Sequence, residues 1–330
     1  MRVAVLGAGQ MGSGFGRPAL ERGHDPVYWG PDWLDVPALE ALAAGEQHPD
    51  LGVALPQPVE TVSEIGEAVR GADLVALAVT SEGAEWVSEE AAEHAPEGVP
   101  VLVFTKGLVE RGGEIVPAVV RVREIFGPNR PVVGVGGPVK AIDLINASPT
   151  QTTFASAERE QAREVAGAFS TPYYFPGATD DLLGLGLCSA LKNCYAIAFG
   201  LLTGSEAKPN LRALAFGTAL GELSAIVVAA GGRAETAAGA PGAGDLYVTC
   251  LSGRNGDFGR LLNAGNGPDE ARERMGNATV EGLGTLPPAL ALGSSLGLGE
   301  EELPLLYYLD AVLRGERAAG DPDLARLLAE

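Results

Sequence analysis

Short apolar runs alternate with longer helix-like segments through the first half of the chain. Runs of this kind are typical of strands that are buried on both faces of a sheet. We predict strands at residues 2–6, 26–29, 74–79, 101–104, 132–135, 152–155 and 173–175. Strands that alternate with helices in this way favour an α/β domain with a doubly wound, mainly parallel sheet.

The pattern changes after about Thr179, where the strand signals fade. Long segments rich in Ala and Leu take over, and we predict helices at residues 182–202, 211–230, 268–275, 286–296 and 302–314. No linker rich in Pro, Ser or charge separates the two halves. We therefore predict two domains, a sheet domain over residues 1–179 and an all-helical domain over residues 180–330.

The segment 182–202 is long and apolar enough to imitate a membrane helix, but its middle contains Lys192 and Asn193. A lysine at the centre of a single span costs about 2.5–3.5 kcal/mol on insertion scales. The segment is therefore interpreted as a buried helix of a soluble protein. Because buried lysines are rare, the presence of Lys192 in this helix needs an explanation.

Composition and net charge bear on the partners, the metal content and the location that we expect for this protein. The chain has 330 residues and a net charge of −20, which suits two domains and argues against nucleic acid or an anionic membrane surface as a partner. Cys188, Cys194 and Cys250 form no CxxC pair, so we expect buried, reduced thiols and no metal site. The chain begins with a strand-like run and has no basic-then-apolar leader, and we expect a cytoplasmic protein.

A glycine turn follows the first apolar run and opens a helix. In Gly7-x-Gly9-x-x-Gly12, the first glycine makes the tight turn, the second lets the backbone approach a pyrophosphate, and the third allows close packing of helix on strand. Gln10 and Met11 lie inside this turn. The strand–turn–helix context favours a Rossmann-type dinucleotide site over a turn that binds no ligand.

The end of the second strand normally selects the cofactor, since an acidic residue there binds the ribose 2′-OH of NAD and an arginine accepts the 2′-phosphate of NADP. This chain reads Trp29-Gly30-Pro31-Asp32 and has no arginine nearby. We expect NAD, with NADP as the alternative.

Two lysines are the leading candidates for chemistry at a carbonyl group. Lys106 follows a predicted strand, and open α/β sheets hold their ligands at the carboxyl ends of strands. Lys192 lies within the apolar helix, where burial disfavours its charged form and suits it to acid–base work. The alternatives are a solvated loop lysine and a lysine that reaches the surface.

Further polar candidates lie downstream. Asp245 follows two glycines closely and is predicted either to cap a helix or to restrain Lys192. Thr249 is followed by Gly253-Arg254-Asn255. A planar guanidinium beside an amide suits the binding of a phosphate group.

Taken in order along nearly the whole chain, these motifs resemble the NAD(P)-dependent sn-glycerol-3-phosphate dehydrogenases, with the spacing of the archaeal-type branch. The resemblance is carried by residues 7–12, 29–30, 45–53, 105–107, 136–138, 190–198, 244–246, 249, 253–255 and 280–282. The combination of Leu191-Lys192-Asn193, Gly244-Asp245-Leu246 and Gly253-Arg254-Asn255 is far more specific than the glycine turn alone.

The resemblance implies an oxidoreductase that interconverts dihydroxyacetone phosphate and sn-glycerol 3-phosphate, with a helical domain like that of 6-phosphogluconate dehydrogenase and, as a further expectation, a homodimer. It implies catalytic roles for Lys192, Lys106 and Asp245. The implied substrate-binding residues are Asn193, Thr249, Arg254, Asn255 and Gly137. The implied cofactor-binding residues are Gly7, Gly9, Gln10, Met11, Gly12, Trp29, Lys106, Arg254 and Glu281.

Four positions depart from the family pattern. Gly186 replaces a usual glutamate, Val139 a usual small polar residue, Thr218 a usual arginine and Arg212 a usual lysine. Two alternatives therefore stay open: a reductase of a 2-keto or 3-hydroxy acid, similar to ketopantoate reductase, and a dinucleotide-binding sensor without turnover.

Overall fold

The computed structural model describes residues 1–319, and these form two compact units. The sheet unit consists of Met1–Lys106 and Val116–Gly186. The helical unit consists of Gly107–Ile115 and of the residues from Leu187 onward. A short segment from the first half of the sequence thus belongs to the helical unit. The predicted domain boundary at residue 179 stays a sequence-based prediction.

The elements up to residue 179 are, in chain order, β1 (Arg2–Leu6), α1 (Gln10–Glu21), β2 (Asp25–Trp29), α2 (Val36–Ala44), β3 (Glu60–Thr61), α3 (Ile65–Val69), β4 (Leu74–Leu77), α4 (Ser81–His94), β5 (Val101–Val103), β6 (Leu108–Arg111), β7 (Glu114–Pro117), α5 (Ala118–Phe126), β8 (Val132–Gly136), α6 (Ala141–Ile145), β9 (Thr150–Ala155), α7 (Arg159–Phe169) and β10 (Tyr174–Thr179).

The later elements are α8 (Leu182–Thr203), α9 (Pro209–Ala229), α10 (Ala234–Ala238), a π-helical turn over Ala240–Gly244, α11 (Asp245–Leu251), α12 (Arg254–Asn263), α13 (Pro268–Arg274), α14 (Glu281–Ser295) and α15 (Pro304–Leu313). The five helices that the sequence predicts in this half are all present, with ends that shift by a few residues.

The sheet unit contains an eight-stranded sheet in the order β10-β9-β8-β5-β4-β1-β2-β3. Strands β8 and β9 pair antiparallel, and the other neighbouring strands pair parallel. The predicted mainly parallel sheet is therefore confirmed. The sequence missed β3 and the two-stranded sheet of β6 and β7, because these strands are short and largely polar or half-exposed.

Strand β1 shows why this sheet is doubly wound. Its side chains alternate between two apolar clusters: Val3 and Val5 pack in one, and Ala4 and Leu6 pack in the other. Successive side chains of a strand point to opposite faces, so both faces of the sheet are covered. This burial explains why β1 is a continuous apolar run.

Helix α8 is a core helix. It is one of two helices that are long and apolar enough to cross a membrane, and 94% of its apolar window is buried within the protein. The predicted buried helix is thus confirmed. In the second such helix, α9, 33% of the window is buried, and the other residues are half-buried or exposed.

Candidate active site

The phosphate-binding turn lies between β1 and α1. Gly7 has φ +110, a conformation that side chains rarely adopt, and its amide donates a hydrogen bond to the Trp29 carbonyl at 2.8 Å. A Cβ on Gly12 would collide with the Gly7 carbonyl oxygen. A Cβ on Gly9 would meet no protein atom within 4 Å. The first and third glycines are therefore required by packing, whereas the second leaves room for a ligand.

The start of α1 suits a pyrophosphate. The helix begins at Gln10 directly after Gly9, and no side chain caps it. The first amides of a helix lack partners within the helix and carry the positive end of its dipole, so they attract anions. Gln10 is exposed and Met11 is half-buried. The turn therefore has the shape and polarity that a dinucleotide requires.

Two side chains fix the turn at Ala8, and the sequence analysis had missed both. The Ala8 amide donates to Asp35 Oδ2 at 2.8 Å, and His48 Nε2 lies 2.9 Å from the Ala8 carbonyl oxygen. The Asp50 amide donates to His48 Nδ1, so Nε2 carries the proton and donates. Burial raises the pKa of Asp35. The feature of the sequence that could have identified His48 is its place in the segment 45–53, which carries part of the family resemblance.

The other candidates of the sheet unit lie at the carboxyl ends of its strands. Lys106 comes three residues after β5, next to Thr105, whose hydroxyl donates to the Val79 carbonyl at 2.8 Å. Gly137 directly follows β8 and has φ +112. Trp29 ends β2 and is buried, with its Nε1 donating to the Ser63 carbonyl at 3.1 Å. The predicted residues of this unit thus share one edge of the sheet.

Lys192 forms the centre of the helical unit. It lies on α8 and is 8% exposed. Its Nζ donates to Asp245 Oδ1 at 2.5 Å and to Thr249 Oγ1 at 3.1 Å. An ammonium group inside a protein needs such a partner, because burial without a counter-charge is costly. The predicted contact between Lys192 and Asp245 is therefore present.

The chain before Asp245 explains its position. The π-helical turn ends at Gly244, and α11 begins at Asp245. A Cβ on Gly242 would collide with the backbone of Ala237, so only glycine allows this close approach. The Thr249 hydroxyl lies one helical turn further and donates to the Asp245 carbonyl at 2.6 Å. The threonine therefore presents its oxygen lone pairs to Lys192.

Asn193 belongs to a second network beside Lys192. Its amide nitrogen donates to Glu281 Oε2 at 2.9 Å, and its oxygen accepts from Asn255 Nδ2 at 3.0 Å. The Asn255 oxygen accepts from the Gly282 amide at 2.9 Å. Asn193 and Asn255 are almost fully buried. The network therefore ties α8 to the first residues of α12 and α14.

Arg254 lies at the start of α12 and is about half exposed. Its Nη2 is 4.0 Å from Glu281 Oε1. The preceding Gly253 has φ +133, which turns the chain sharply into the helix. The amino terminus of α12 and the guanidinium contribute positive charge here, next to the Glu281 carboxylate, and the phosphate site at these residues stays a prediction.

The four departures from the family pattern have structural explanations or local roles. Arg212 Nε donates to the Ala207 carbonyl at 3.1 Å. A Cβ on Gly186 would lie 2.7 Å from the Pro117 Cβ, so no larger residue fits there. The Thr218 hydroxyl donates to the Leu214 carbonyl within α9 at 3.1 Å. Val139 is half-buried and packs against the core of the sheet unit.

Glu222 is a buried acid that the sequence analysis did not find. It lies on α9 and accepts hydrogen bonds from the Leu305 amide at 2.6 Å and the Leu306 amide at 3.4 Å, at the start of α15. Burial raises the pKa of Glu222 to about 8, although both amide bonds oppose the change. The feature of the sequence that could have identified Glu222 is that it is the single acidic residue of a largely apolar helix.

Within residues 1–319, no group of three or more His, Cys, Asp or Glu side chains is arranged to hold a metal ion. All three cysteines are buried and none forms a disulfide. Burial raises the pKa of Cys250 to about 12, so this thiol stays protonated at neutral pH.

Comparisons with known proteins agree with these features. Two family models match, the NAD-dependent glycerol-3-phosphate dehydrogenase N-terminus over residues 2–162 and the C-terminus of the same family over residues 181–321. An NADP(+)-dependent glycerol-3-phosphate dehydrogenase of Archaeoglobus fulgidus is 32% identical over 320 residues, which cover 93% of this chain and 94% of that protein.

Solved structures show the same fold at lower identity. A glycerol-3-phosphate dehydrogenase from Coxiella burnetii has a TM-score of 0.86 at 23% identity, covering 99% of this chain and 98% of that one. A ketopantoate reductase from Ralstonia eutropha is more distant, with a TM-score of 0.60 at 16% identity, covering 96% and 98%. The resemblance inferred from the motifs is confirmed: this chain belongs to the NAD-dependent glycerol-3-phosphate dehydrogenase family.

Proposed function

We propose that this oxidoreductase interconverts dihydroxyacetone phosphate and sn-glycerol 3-phosphate with NAD or NADP, and that Lys192 supplies the proton. The observation that carries the assignment is the buried Lys192 ammonium, bonded to Asp245 and Thr249. A buried, hydrogen-bonded cation suits the reduction of a ketone, because negative charge develops on the carbonyl oxygen and must be stabilised and protonated.

The reaction follows from this geometry. When bound, the nicotinamide supplies a hydride to the carbonyl carbon. Lys192 polarises the carbonyl and donates a proton to its oxygen. Asp245 and Thr249 hold the ammonium in place, and Asp245 stabilises its charge before the proton leaves. Lys106 assists as a second cation at the substrate. In the reverse direction the neutral Lys192 amine accepts the proton from the alcohol.

The substrate phosphate is assigned to Arg254 and the amino terminus of α12. The half-exposed guanidinium can form paired hydrogen bonds with phosphate oxygens. Asn255 is proposed to hold this part of the substrate site in position, because its side-chain amide bonds Asn193 and Gly282. Asn193, Thr249 and Gly137 are the remaining proposed substrate contacts.

The cofactor is assigned to the glycine turn at Gly7, Gly9, Gln10, Met11 and Gly12, with Trp29 and Lys106 on the sheet unit and Arg254 and Glu281 on the helical unit. NAD is the preferred form in this proposal because residues 30–35 include no arginine. Replacing Asp32 with Arg should lower the KM for NADPH relative to NADH. An unchanged ratio of the two KM values would show that the cofactor is selected elsewhere.

A cytoplasmic location and a homodimer complete the proposal. Support for the dimer comes from α9, whose residues carry charge only at Arg212 and Glu222 and of whose apolar window only 33% is buried. Apolar surface that is left at least partly exposed is typical of contact with another protein. Sedimentation velocity should give twice the mass of the chain, and a monomer at all concentrations would remove the dimer from the proposal.

The decisive assay is NADH oxidation, followed by the loss of NADH absorbance, with dihydroxyacetone phosphate as substrate. We expect rapid oxidation that requires the phosphate group, and little or none with dihydroxyacetone or ketopantoate. Parallel runs with NADPH rank the two cofactors. A folded protein that binds NADH but reduces none of these ketones would be a sensor, and one that prefers ketopantoate would be a keto-acid reductase.

A further inference from the structure

A loop between α2 and β3 places His48 next to the phosphate-binding turn. The residue is 1% exposed, and its Nε2 donates to the Ala8 carbonyl oxygen at 2.9 Å. The His48 amide donates to the Val53 carbonyl at 3.1 Å, and the His48 carbonyl accepts from the Gly52 amide at 2.8 Å. The loop therefore closes on His48 and holds its imidazole in a fixed position.

The Ala8 carbonyl oxygen has a second donor, which comes from the helix after the turn. Ser13 lies on α1 and is completely buried, and its Oγ donates to the Ala8 oxygen at 2.9 Å. Two buried donors from different elements thus bond one oxygen atom. They fix the direction of this carbonyl group and with it the plane of the peptide that joins Ala8 to Gly9.

The direction of this carbonyl determines where the Gly9 amide points. The peptide bonds of residues 1–319 are trans, and in a trans peptide the C=O and the following N–H point in opposite directions. Because the Ala8 carbonyl faces the buried His48, the Gly9 N–H faces the other way. Ala8 is completely buried, whereas Gly9 is half-buried and Gln10 is exposed. The Gly9 N–H therefore points to the open side of the turn.

The preceding peptide is fixed in the same manner. The Ala8 amide donates to Asp35 Oδ2 at 2.8 Å, so the Gly7 carbonyl points away from Asp35. This carbonyl faces α1, where a Cβ on Gly12 would collide with its oxygen. Both carbonyl groups of the turn thus face into the protein, and their partial negative charges are directed away from the side that is proposed to bind an anion.

The glycine at position 9 makes the orientation of its peptide reversible. A half-turn of the peptide between Ala8 and Gly9 would change φ of Gly9 from −65 to a positive value, which glycine adopts almost as readily. The turned peptide would present the Ala8 oxygen, and not an N–H, to a phosphate. Since that oxygen carries partial negative charge, it would repel the anion. A glycine that admits the pyrophosphate therefore requires another residue to hold its peptide.

We propose that His48, together with Ser13, holds the peptide between Ala8 and Gly9 so that the Gly9 amide donates to the pyrophosphate of the nicotinamide dinucleotide. We call this pair of donors the peptide lock. The inference rests on the proposed function for its ligand. An amide that is oriented before the ligand arrives binds it more tightly, because less conformational freedom is lost on binding. His48 is thus a positioning residue that acts through the backbone.

Calorimetric titration of His48→Ala gives the first test. Loss of the oriented amide should weaken the binding of NADH and ADP-ribose by about ten- to a hundredfold, the range for one hydrogen bond to a charged group. The affinity for adenosine, which has no phosphate, should equal that of the wild type. His48→Gln should retain most of the NADH affinity, because its side-chain amide can place an N–H donor where Nε2 lies. His48→Leu fills the space without a donor and should behave as His48→Ala.

The matched control is His24→Ala. His24 Nε2 also bonds a backbone carbonyl of the sheet unit, that of Ala168, at 2.9 Å. The control removes the same kind of hydrogen bond away from the turn and should bind NADH as the wild type does. Steady-state kinetics should show a raised KM for NADH in His48→Ala, with an unchanged KM for dihydroxyacetone phosphate and an unchanged kcat at saturating NADH.

The Gly9 amide itself gives the second test, which needs no variant at His48. In protein labelled with heavy nitrogen at its glycines, the Gly9 resonance is the one that Gly9→Ala lacks. Saturating ADP-ribose should move the proton of this amide strongly downfield in the wild type, as a hydrogen bond to phosphate does. The same ligand should move it much less in His48→Ala.

The outcomes separate the peptide lock from the proposed reaction. Wild-type affinity of His48→Ala or His48→Leu for ADP-ribose, an equal loss for adenosine, or an equal loss in His48→Gln would overturn the lock while the reaction stands. A Gly9 resonance that stays in place at saturating ADP-ribose would also overturn it, even if the variants do not fold. Binding of ADP-ribose that depends on His48, without reduction of dihydroxyacetone phosphate, would overturn the reaction while the lock stands.

Discussion

The glycine turn of the sheet unit and the lysine centre of the helical unit are built from different parts of the chain. The turn is made of backbone, with Gly7 at φ +110 and Gly12 packed against the Gly7 carbonyl. The lysine centre is made of side chains, and the hydrogen bond from Lys192 to Asp245 joins residues 53 positions apart. The turn requires residues that have no Cβ atom. The lysine centre requires the charged and polar groups of its side chains.

This difference determines how each site should respond to substitution. In the turn, even one added methyl group obstructs the backbone or the ligand, so the damage falls on folding and cofactor binding. At the lysine centre, a shortened side chain leaves space but removes a proton or a charge, so the damage falls on turnover. Five substitutions test this contrast, in order of decreasing effect.

Lys192→Ala should have the largest effect. Loss of a general acid lowers turnover by about 10²–10⁴-fold, and NADH affinity should stay near that of the wild type. Steady-state NADH oxidation and calorimetric titration measure the two quantities. The control Lys208→Ala removes an exposed lysine of the same unit and should be neutral. Turnover within tenfold of the wild type would show that another group supplies the proton.

Gly12→Ala and Gly9→Ala should divide the roles of the turn. The Cβ of Gly12→Ala collides with the Gly7 carbonyl, so unfolding should become easier by about 1–3 kcal/mol and NADH affinity should fall. The Cβ of Gly9→Ala meets no protein atom, so this variant should keep its melting temperature and lose NADH affinity only. If Gly9→Ala binds NADH normally, the pyrophosphate does not approach that residue.

Arg254→Ala should raise the KM for dihydroxyacetone phosphate by about ten- to a hundredfold, because it removes charge-assisted hydrogen bonds to the phosphate. Its effect on turnover should be much smaller than that of Lys192→Ala. Arg274→Ala removes a comparably exposed arginine on α13 and serves as the control. An unchanged KM would exclude Arg254 from the phosphate site.

Glu222→Gln should have the smallest effect and should change only the dependence of folding stability on pH. Burial raises the pKa of Glu222 from 4.5 to about 8, so the folded state binds a proton that the unfolded state has lost. The resulting stabilisation is complete below about pH 4.5 and is lost as the pH rises to about 8. Urea midpoints of the wild type should therefore fall more steeply over this range than those of Glu222→Gln.

Glu206→Gln, an exposed acid of the same unit, gives the control for that series. Its urea midpoints should follow those of the wild type at every pH. Parallel curves for Glu222→Gln and the wild type would show that Glu222 stays ionised in the folded protein.

Much of the fold followed from the sequence because its signals are local. Apolar runs predicted the seven longer strands of the large sheet, and the Ala- and Leu-rich segments predicted the main helices. The two-residue strand β3 and the hairpin of β6 and β7 carry no such runs and were missed. Short strands form through their neighbours, which periodicity within one segment does not reveal.

The candidate site likewise contains residues that the sequence identified and residues that it did not. Lys192 was identified because a cation within an apolar helix is conspicuous in any sequence. Asp35 and His48 were not identified, because their importance lies in hydrogen bonds to Ala8, which is 27 and 40 residues away. The ring contact between Trp33 and Trp86 was not predicted either, since Trp86 lies 53 residues beyond Trp33.

The sequence by itself determined the glycine turn, the alternation of strands and helices, and the residue types that carry the chemistry. Those features depend on the conformational freedom of glycine and on the burial of neighbouring residues, which the local sequence encodes. Only the tertiary structure decided which side chains meet: Asp245 and Thr249 on Lys192, Asn255 on Asn193, and Trp33 on Trp86. Hydrogen bonds and ring contacts act over a few ångströms, so they depend on how distant segments pack.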